Sequence, residues 1–182
     1  MAIIVLDRDG VINEHRDDHV KNADEWIPIS GSIDAMARLS QAGHQLVVAT
    51  NQCGLAHGHF DLDDLEAMHA KLRALVEDAG GEVAGVFYCP HRKEDECRCR
   101  KPKAGLLDVI EAEFDTSLHD CYFVGDRISD LQCAVAKGCK PVLVKTGCGG
   151  QTLLSLIENP DPQLISTAVF DDLSGFADFA LQ

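Results

Sequence analysis

Asp7 and Asp9 stand two residues apart where a short apolar run, Ala2 to Leu6, breaks off. A run of that length and composition is a buried strand, and the ends of parallel strands are where α/β sheets place their chemistry. One carboxylate of such a pair can act as a nucleophile while the other handles protons. The competing reading is a strand followed by an acidic turn, with Gly10 supplying an unusual backbone angle.

Three further strand ends carry the same kind of residue. The second apolar run ends in Thr50, Asn51 and Gln52, offering a hydroxyl and backbone N–H groups to an anion. Arg100-Lys101-Pro102 follows the third. Lysine is a point charge for phosphate and arginine a bidentate grip, and the proline biases Lys101 toward an extended backbone. Six of the sixteen basic residues fall between Arg92 and Lys103, a local attractor for an anionic substrate. The fourth run ends Gly125-Asp126-Arg127, with Asp130 about one helical turn on. Hard oxygen ligands near a phosphate suit Mg²⁺, although acids there could also cap a helix. Together Asp7, Asp9, Thr50, Lys101 and Asp126 are the residue types that phosphoryl transfer requires.

A second constellation is metallic. Cys89-Pro90-His91 and Cys97-Arg98-Cys99 supply three thiolates and one imidazole within eleven residues. That set matches a four-coordinate Zn²⁺ with no open position, hence a structural ion that orders the loop of residues 89–99 beside Arg100 and Lys101. Cys53, Cys121, Cys133, Cys139 and Cys148 read as ordinary small residues, and His15, His19, His44, His69 and His119 as surface residues.

The elements that must position these groups alternate along the chain. Strands are predicted at Ile3–Leu6, Gln45–Thr50, Val83–Tyr88, Cys121–Val124 and Pro141–Val144, with a short one near Val169. Between them lie helices. One is capped by Ser32 and stopped near Gly43. Another begins at Asp61, carries the stripe Leu62, Leu65, Met68, Leu72, Leu75 and Val76, and stops at Gly80-Gly81. A third holds Leu106, Leu107, Val109, Ile110 and Phe114; a fourth is capped by Ser129; a weaker helix and a terminal one complete the chain. Strict alternation implies a parallel sheet with right-handed crossovers and helices on both faces. Residues 13–31 show no periodic pattern and are too long for an ordinary connection, so they are expected to form a flap over the site.

Composition bounds the rest. At 182 residues the chain reads as one domain, and its apolar and charged fractions are those of a soluble globular protein. A net charge of −14 argues against nucleic acid and anionic membrane surfaces as partners. No apolar run approaches the roughly 20 residues of a membrane span, and no signal peptide is evident. The expected compartment is therefore the cytoplasm, with the eight cysteines as thiols or metal ligands. No coiled coil or leftover apolar stripe is evident, so a monomer is expected.

The order Asp7-x-Asp9, Thr50, Lys101, Gly125-Asp126 resembles the four motifs of the haloacid dehalogenase (HAD) superfamily phosphatases across nearly the whole chain. The zinc-like loop followed by Arg100-Lys101-Pro102 resembles the compact, capless histidinol-phosphatase-like subgroup. The resemblance implies a single Rossmann-like α/β domain without a large cap. It implies that Asp7 attacks phosphorus and that Asp9 protonates the leaving alkoxide and then activates water. It further implies that Thr50 and Lys101 hold the transferring group, and that Mg²⁺ is bound by Asp7, Asp126 and the backbone carbonyl of Asp9. Arg127 and Asp130 would support those ligands from behind, and Asn51, Arg100 and the flap would contact the substrate. The basic cluster favours a sugar bisphosphate over the amino alcohol of histidinol phosphate. Ser30, His57 and Cys148 depart from the subgroup's pattern without touching the hydrolytic set. A phosphoacceptor signalling domain and a zinc-stabilised binding module without catalysis are the readings from other classes. The Asp-x-Asp spacing argues against the first and retention of both acids against the second.

Overall fold

The computed structural model describes residues 2–182. Six strands, β1 (Ile3–Leu6), β2 (Gln45–Asn51), β3 (Gly85–Cys89), β4 (Tyr122–Gly125), β5 (Lys140–Val144) and β6 (Ala168–Phe170), form one parallel sheet in the order β3-β2-β1-β4-β5-β6. Helices α1 (Ser32–Gln41), α2 (Leu62–Asp78), α3 (Gly105–Phe114), α4 (Ile128–Ala136), α5 (Gly149–Glu158) and α6 (Leu173–Ala180) cover it. The period of two in β1 explains the layers. Ile4 and Leu6 enter a core with Met36, Leu39, Leu65, Met68 and Phe176 of α1, α2 and α6, while Ile3 and Val5 enter a second with Leu106, Leu107, Ile110, Cys133 and Ala134 of α3 and α4. Both faces are therefore buried, as the unbroken apolar run requires.

This strand order places the reversal of winding between β1 and β4, where the loops after them part and leave a crevice. Asp7 and Asp126 leave those two strands side by side, and the Asp7 N–H donates to the Val124 carbonyl at 2.9 Å. Gly10 has φ +86° and packs against Gly147. A Cβ on Gly10 would fall 2.1 Å from the Asp126 carboxylate, so only glycine fits.

Several local expectations need correction. Ser32 does not cap α1: Gly31 does, in a left-handed conformation, and the Ser32 hydroxyl instead donates to the Ile12 carbonyl at 2.7 Å. Ser129 does not cap α4 either. Arg127 holds that position, and the Asp130 carboxylate, three residues on, accepts its backbone N–H. β3 begins and ends later than the apolar pattern suggests, because pairing with β2 continues to Asn51 opposite Cys89. Leu62 is exposed, since α2 turns it away from the sheet. Asp61 caps α2 as expected, in a reciprocal box with Asp64.

Residues 13–31 are tied at both ends. Asn13 pairs with Pro28, Glu14 N–H donates to the Ile27 carbonyl and Ile29 N–H to that of Ile12. Trp26 is buried in the core, and Lys71 of α2 donates to the carbonyls of Ala23 and Trp26 at 2.7 Å each. Among the described residues no helix is long and apolar enough to cross a membrane.

Candidate active site

A cavity of about 680 Å³ opens at the carboxyl ends of the strands. It is lined by Asp7, Asp9, Thr50, Asn51, Arg100, Lys101, Arg127 and Asp130, and by His15, Arg16, Asp17, His19 and Val20 of the 13–31 segment. Lys101 is its electrostatic centre. Its buried ammonium lies 2.8 Å from Asp7 Oδ1 and 2.7 Å from Asp130 Oδ1, and donates to the Ala49 carbonyl at 2.9 Å. Burial disfavours that charge, but Asp130 and Asp7 outweigh it and raise the pKa.

Three carboxylates face this one cation. Oxygens of Asp7, Asp126 and Asp130 all lie within 4.8 Å of one another. Burial pushes Asp7 up to about 6 against the pull of Lys101. Burial, then the charges of Asp7 and Asp130, push Asp126 up to about 8. Asp126 Oδ2 accepts the Cys148 N–H at 2.8 Å, and the Thr152 hydroxyl donates to the Asp126 carbonyl at 2.8 Å. Asp126 Oδ1 is buried without a hydrogen-bond partner. An orphaned carboxylate oxygen beside uncompensated negative charge fits a hard divalent cation such as Mg²⁺. Asp130, read from sequence as a supporting group, stands among these oxygens as well as behind Lys101 and the N–H groups of Asp126 and Arg127.

Asp9 is held differently. Its Oδ1 accepts from Arg8 at 3.0 Å and Asn13 at 2.8 Å, and its Oδ2 from Arg8 at 3.1 Å and Gln52 at 2.8 Å. Burial pushes this carboxyl up, but Arg8, Asn13 and Gln52 together overcome it and hold Asp9 below its usual value. Gln52 also donates to the Thr50 hydroxyl oxygen at 2.9 Å, which leaves the Thr50 O–H to donate to an anion. Asn51 lines the cavity, yet both ends of its amide are engaged with the backbone of Lys101, at 3.2 and 3.1 Å. It therefore positions the lysine.

Arg8, Asn13, Gln52 and His69 escaped the sequence reading as site residues. His69 is buried, contrary to its expected place on the surface; His15, His19 and His44 are half-buried, and His119 is exposed. The signal was present. His69 lies four residues after Leu65 on the apolar stripe of α2, and an arginine between two strand-end acids is rarely left unpaired.

Cys89 leaves β3 directly into the second cluster. Its Sγ lies 3.6 Å from that of Cys97 and 3.2 Å from that of Cys99, and His91 Nδ1 lies 3.7 and 3.2 Å from Cys89 and Cys99. Donors about 2.3 Å from a central ion stand roughly 3.7 Å apart at the corners of a tetrahedron. The set could therefore hold a metal such as zinc with little adjustment. Arg100 is tied to this loop through the His91 carbonyl at 3.4 Å.

The HAD-hydrolase-like family matches residues 98–175. The D-glycero-beta-D-manno-heptose-1,7-bisphosphate 7-phosphatase of Pseudomonas aeruginosa is 53% identical over 181 residues, covering 100% of this chain and 98% of its own length. The enzyme of that name from Neisseria meningitidis is 48% identical over 182 residues, covering 100% and 96%. The crystal structure of D,D-heptose 1,7-bisphosphate phosphatase from Bordetella bronchiseptica, complexed with magnesium and phosphate, superposes with a TM-score of 0.94 at 44% identity, covering 100% of this chain and 99% of that one.

Proposed function

This chain belongs to the HAD-type phosphatases, in the family of the heptose-1,7-bisphosphate 7-phosphatases, and on that footing we propose that it removes the 7-phosphate of D-glycero-D-manno-heptose 1,7-bisphosphate with Asp7 as nucleophile. The observation that carries the proposal is the Asp7–Lys101 pair at 2.8 Å beside the orphaned Asp126 oxygen, at the switch point of the sheet.

Asp7, Asp126 and the backbone carbonyl of Asp9 would hold Mg²⁺, with Asp130 close by; the ion supplies charge neutralisation between a carboxylate nucleophile and a phosphate dianion. The chain's own groups do the rest. An Asp7 carboxylate oxygen bonds to phosphorus as the bond to the ester oxygen breaks. The electron pair leaves with that oxygen, which takes a proton from the Asp9 carboxyl. A phosphate dianion beside Asp9 raises its pKa and so favours the acid form that this step needs. Water then attacks the aspartyl phosphate, gives its proton to the Asp9 carboxylate, and releases phosphate with Asp7 restored. All three N–H groups of Lys101 are engaged, so it acts on the transferring group mainly through charge, while Thr50 donates its hydroxyl.

Arg16, Lys93, Arg100 and Lys103 also line the cavity. They favour a second phosphate over the amine of histidinol. Zinc in the Cys89–Cys99 loop would brace Arg100 and Lys101. The product would feed formation of the nucleotide-activated heptose of the lipopolysaccharide core, in the cytoplasm.

Incubation with Mg²⁺ and heptose bisphosphate, fructose bisphosphate or histidinol phosphate, with phosphate release measured, tests the reading. Turnover of the heptose ester in preference to the others is expected. Preference for histidinol phosphate would transfer the chain to that activity, and no release from any ester would leave a phosphoacceptor. Arg100→Ala is expected to raise KM for the bisphosphate about tenfold with kcat little changed, the worth of one charge-assisted hydrogen bond; steady-state kinetics read it directly. Elemental analysis should find about one zinc per chain, and a strong chelator should loosen residues 89–103, because such sites bind zinc with roughly 10–16 kcal/mol. Unchanged proteolysis of that loop after zinc removal would speak against the bracing role.

A further inference from the structure

Arg8 and His69 are buried side chains with no part in the steps above. Building on the phosphatase reading, we propose that His69 is a positioning residue for the acid–base carboxylate: its imidazole fixes the plane of Arg8, and Arg8 holds Asp9 in its working orientation. The guanidinium of Arg8 spends Nε and Nη2 on Asp9, at 3.3, 3.0 and 3.1 Å. On its far side Nη1 donates to His69 Nε2 at 3.3 Å, with only the weak acceptor Met68 Sδ, at 4.0 Å, as a second partner. With Nη1 held as well, both edges of the planar guanidinium are anchored, whereas an Arg8 held at Asp9 alone would tilt and shift together with that carboxylate.

The imidazole is itself held in place. His69 sits on the core face of α2 beside Leu65, Met68 and Leu72, and its ring lies 6.0 Å from that of Tyr88 in β3. An aliphatic residue would fill that position at lower desolvation cost. Burial, with Arg8 and Arg73 adding to it, pushes the His69 pKa down to about 3, so the ring is neutral and can accept. Since Nε2 faces a donor, the ring proton resides on Nδ1. Asn13 and Gln52 hold Asp9 from its other sides, so loss of His69 should blur the orientation of the carboxylate without releasing it.

The test uses the leaving group. A sugar alkoxide needs a proton as it departs, whereas a nitrophenolate leaves unaided. His69→Phe keeps the ring volume and removes the acceptor. It is expected to lower kcat/KM, which covers the steps through loss of the alcohol and leaves out the water step that Asp9 also serves, about 10- to 100-fold for the sugar ester and to hold it within about threefold of wild type for p-nitrophenyl phosphate. His69→Gln, which keeps an acceptor, should restore the wild-type ratio of the two rates. His69→Leu serves in place of the Phe variant if that chain does not fold. Equal losses on both esters, or a Gln variant as impaired on the sugar ester as the apolar one, would overturn the proposal. The sugar ester is whichever one the wild-type chain turns over, so failure of the heptose assignment leaves the comparison intact. An inactive wild-type chain would defeat the reading of the whole site; an active one with an unchanged ratio in the variants defeats the role of His69 alone.

Discussion

Asp7→Asn is expected to lower phosphate release by at least about 10⁴-fold while the fold survives, as removal of a covalent nucleophile does elsewhere. The amide is nearly isosteric with the carboxylate, and its oxygen can still accept from Lys101. It lacks the negative charge that makes a carboxylate oxygen nucleophilic enough to bond phosphorus. Folding should tolerate the change, because Asp7 is not a stabilising anion in the ion-free protein: burial raises its pKa to about 6, so carrying the charge at neutral pH costs the fold stability rather than adding to it. The check pairs a kinetic assay with a thermal melt. Activity within tenfold of wild type would remove Asp7 from its role. An unfolded variant would show instead that the Asp7–Lys101 pair is structural. Trapping with a fluoride mimic of the transferring phosphoryl group should place an adduct on residue 7 of the wild-type chain and none on the variant.

Removing divalent cations is expected to abolish turnover and to leave a fold whose stability responds to pH in a definite sense. Asp7 at about 6 and Asp126 at about 8 both lie above the ordinary carboxylate value of 3.8. The folded chain then binds more protons than the unfolded one, and these two groups make stability fall as pH rises, through about 6 for Asp7 and about 8 for Asp126. Asp9 is shifted downward and Lys101 upward, so both stay charged across that window and contribute no slope. His69, lowered to about 3, pulls the other way up to its ordinary 6.5, but equally with and without the ion. The gain in melting temperature on adding Mg²⁺ therefore isolates the carboxylates. At about 100 times its dissociation constant an ion adds about 2.7 kcal/mol, which for a chain of this size is roughly 5–10 °C. The gain should be near that value at pH 8 and clearly smaller at pH 5, where protons compete for the same oxygens. A gain independent of pH, or larger in acid, would mean that the ion does not bind among Asp7, Asp126 and Asp130.

The polar framework was readable where function places polar atoms at the ends of apolar strands. Asp7, Asp9, Thr50, Lys101 and Asp126 each interrupt or follow a run that must be buried, and a polar or charged residue in such a place needs a reason. The Cys89, His91, Cys97 and Cys99 set was readable because its spacing is local: both pairs lie in one short loop. The helix starts at Ser32 and Ser129 were misread because a capping hydroxyl is only a propensity. At α1 the hydroxyl found a better acceptor in the Ile12 carbonyl, and at α4 a carboxylate from the helix's own first turn took over. His69 was misplaced because its partner lies 61 residues away, on a different element.

Alternating periodicity and the chemistry of single residues were enough to specify a parallel sheet under two helical layers, with the reactive groups gathered at one edge. These are properties of a residue and its near neighbours along the chain. Strand order, the closeness of Asp126 to Gly10, the turning of Asn51 onto the backbone of Lys101, and the chain of contacts from His69 through Arg8 to Asp9 came into view with the folded molecule. They depend on distances between segments far apart in sequence, and those distances are set by how the layers pack.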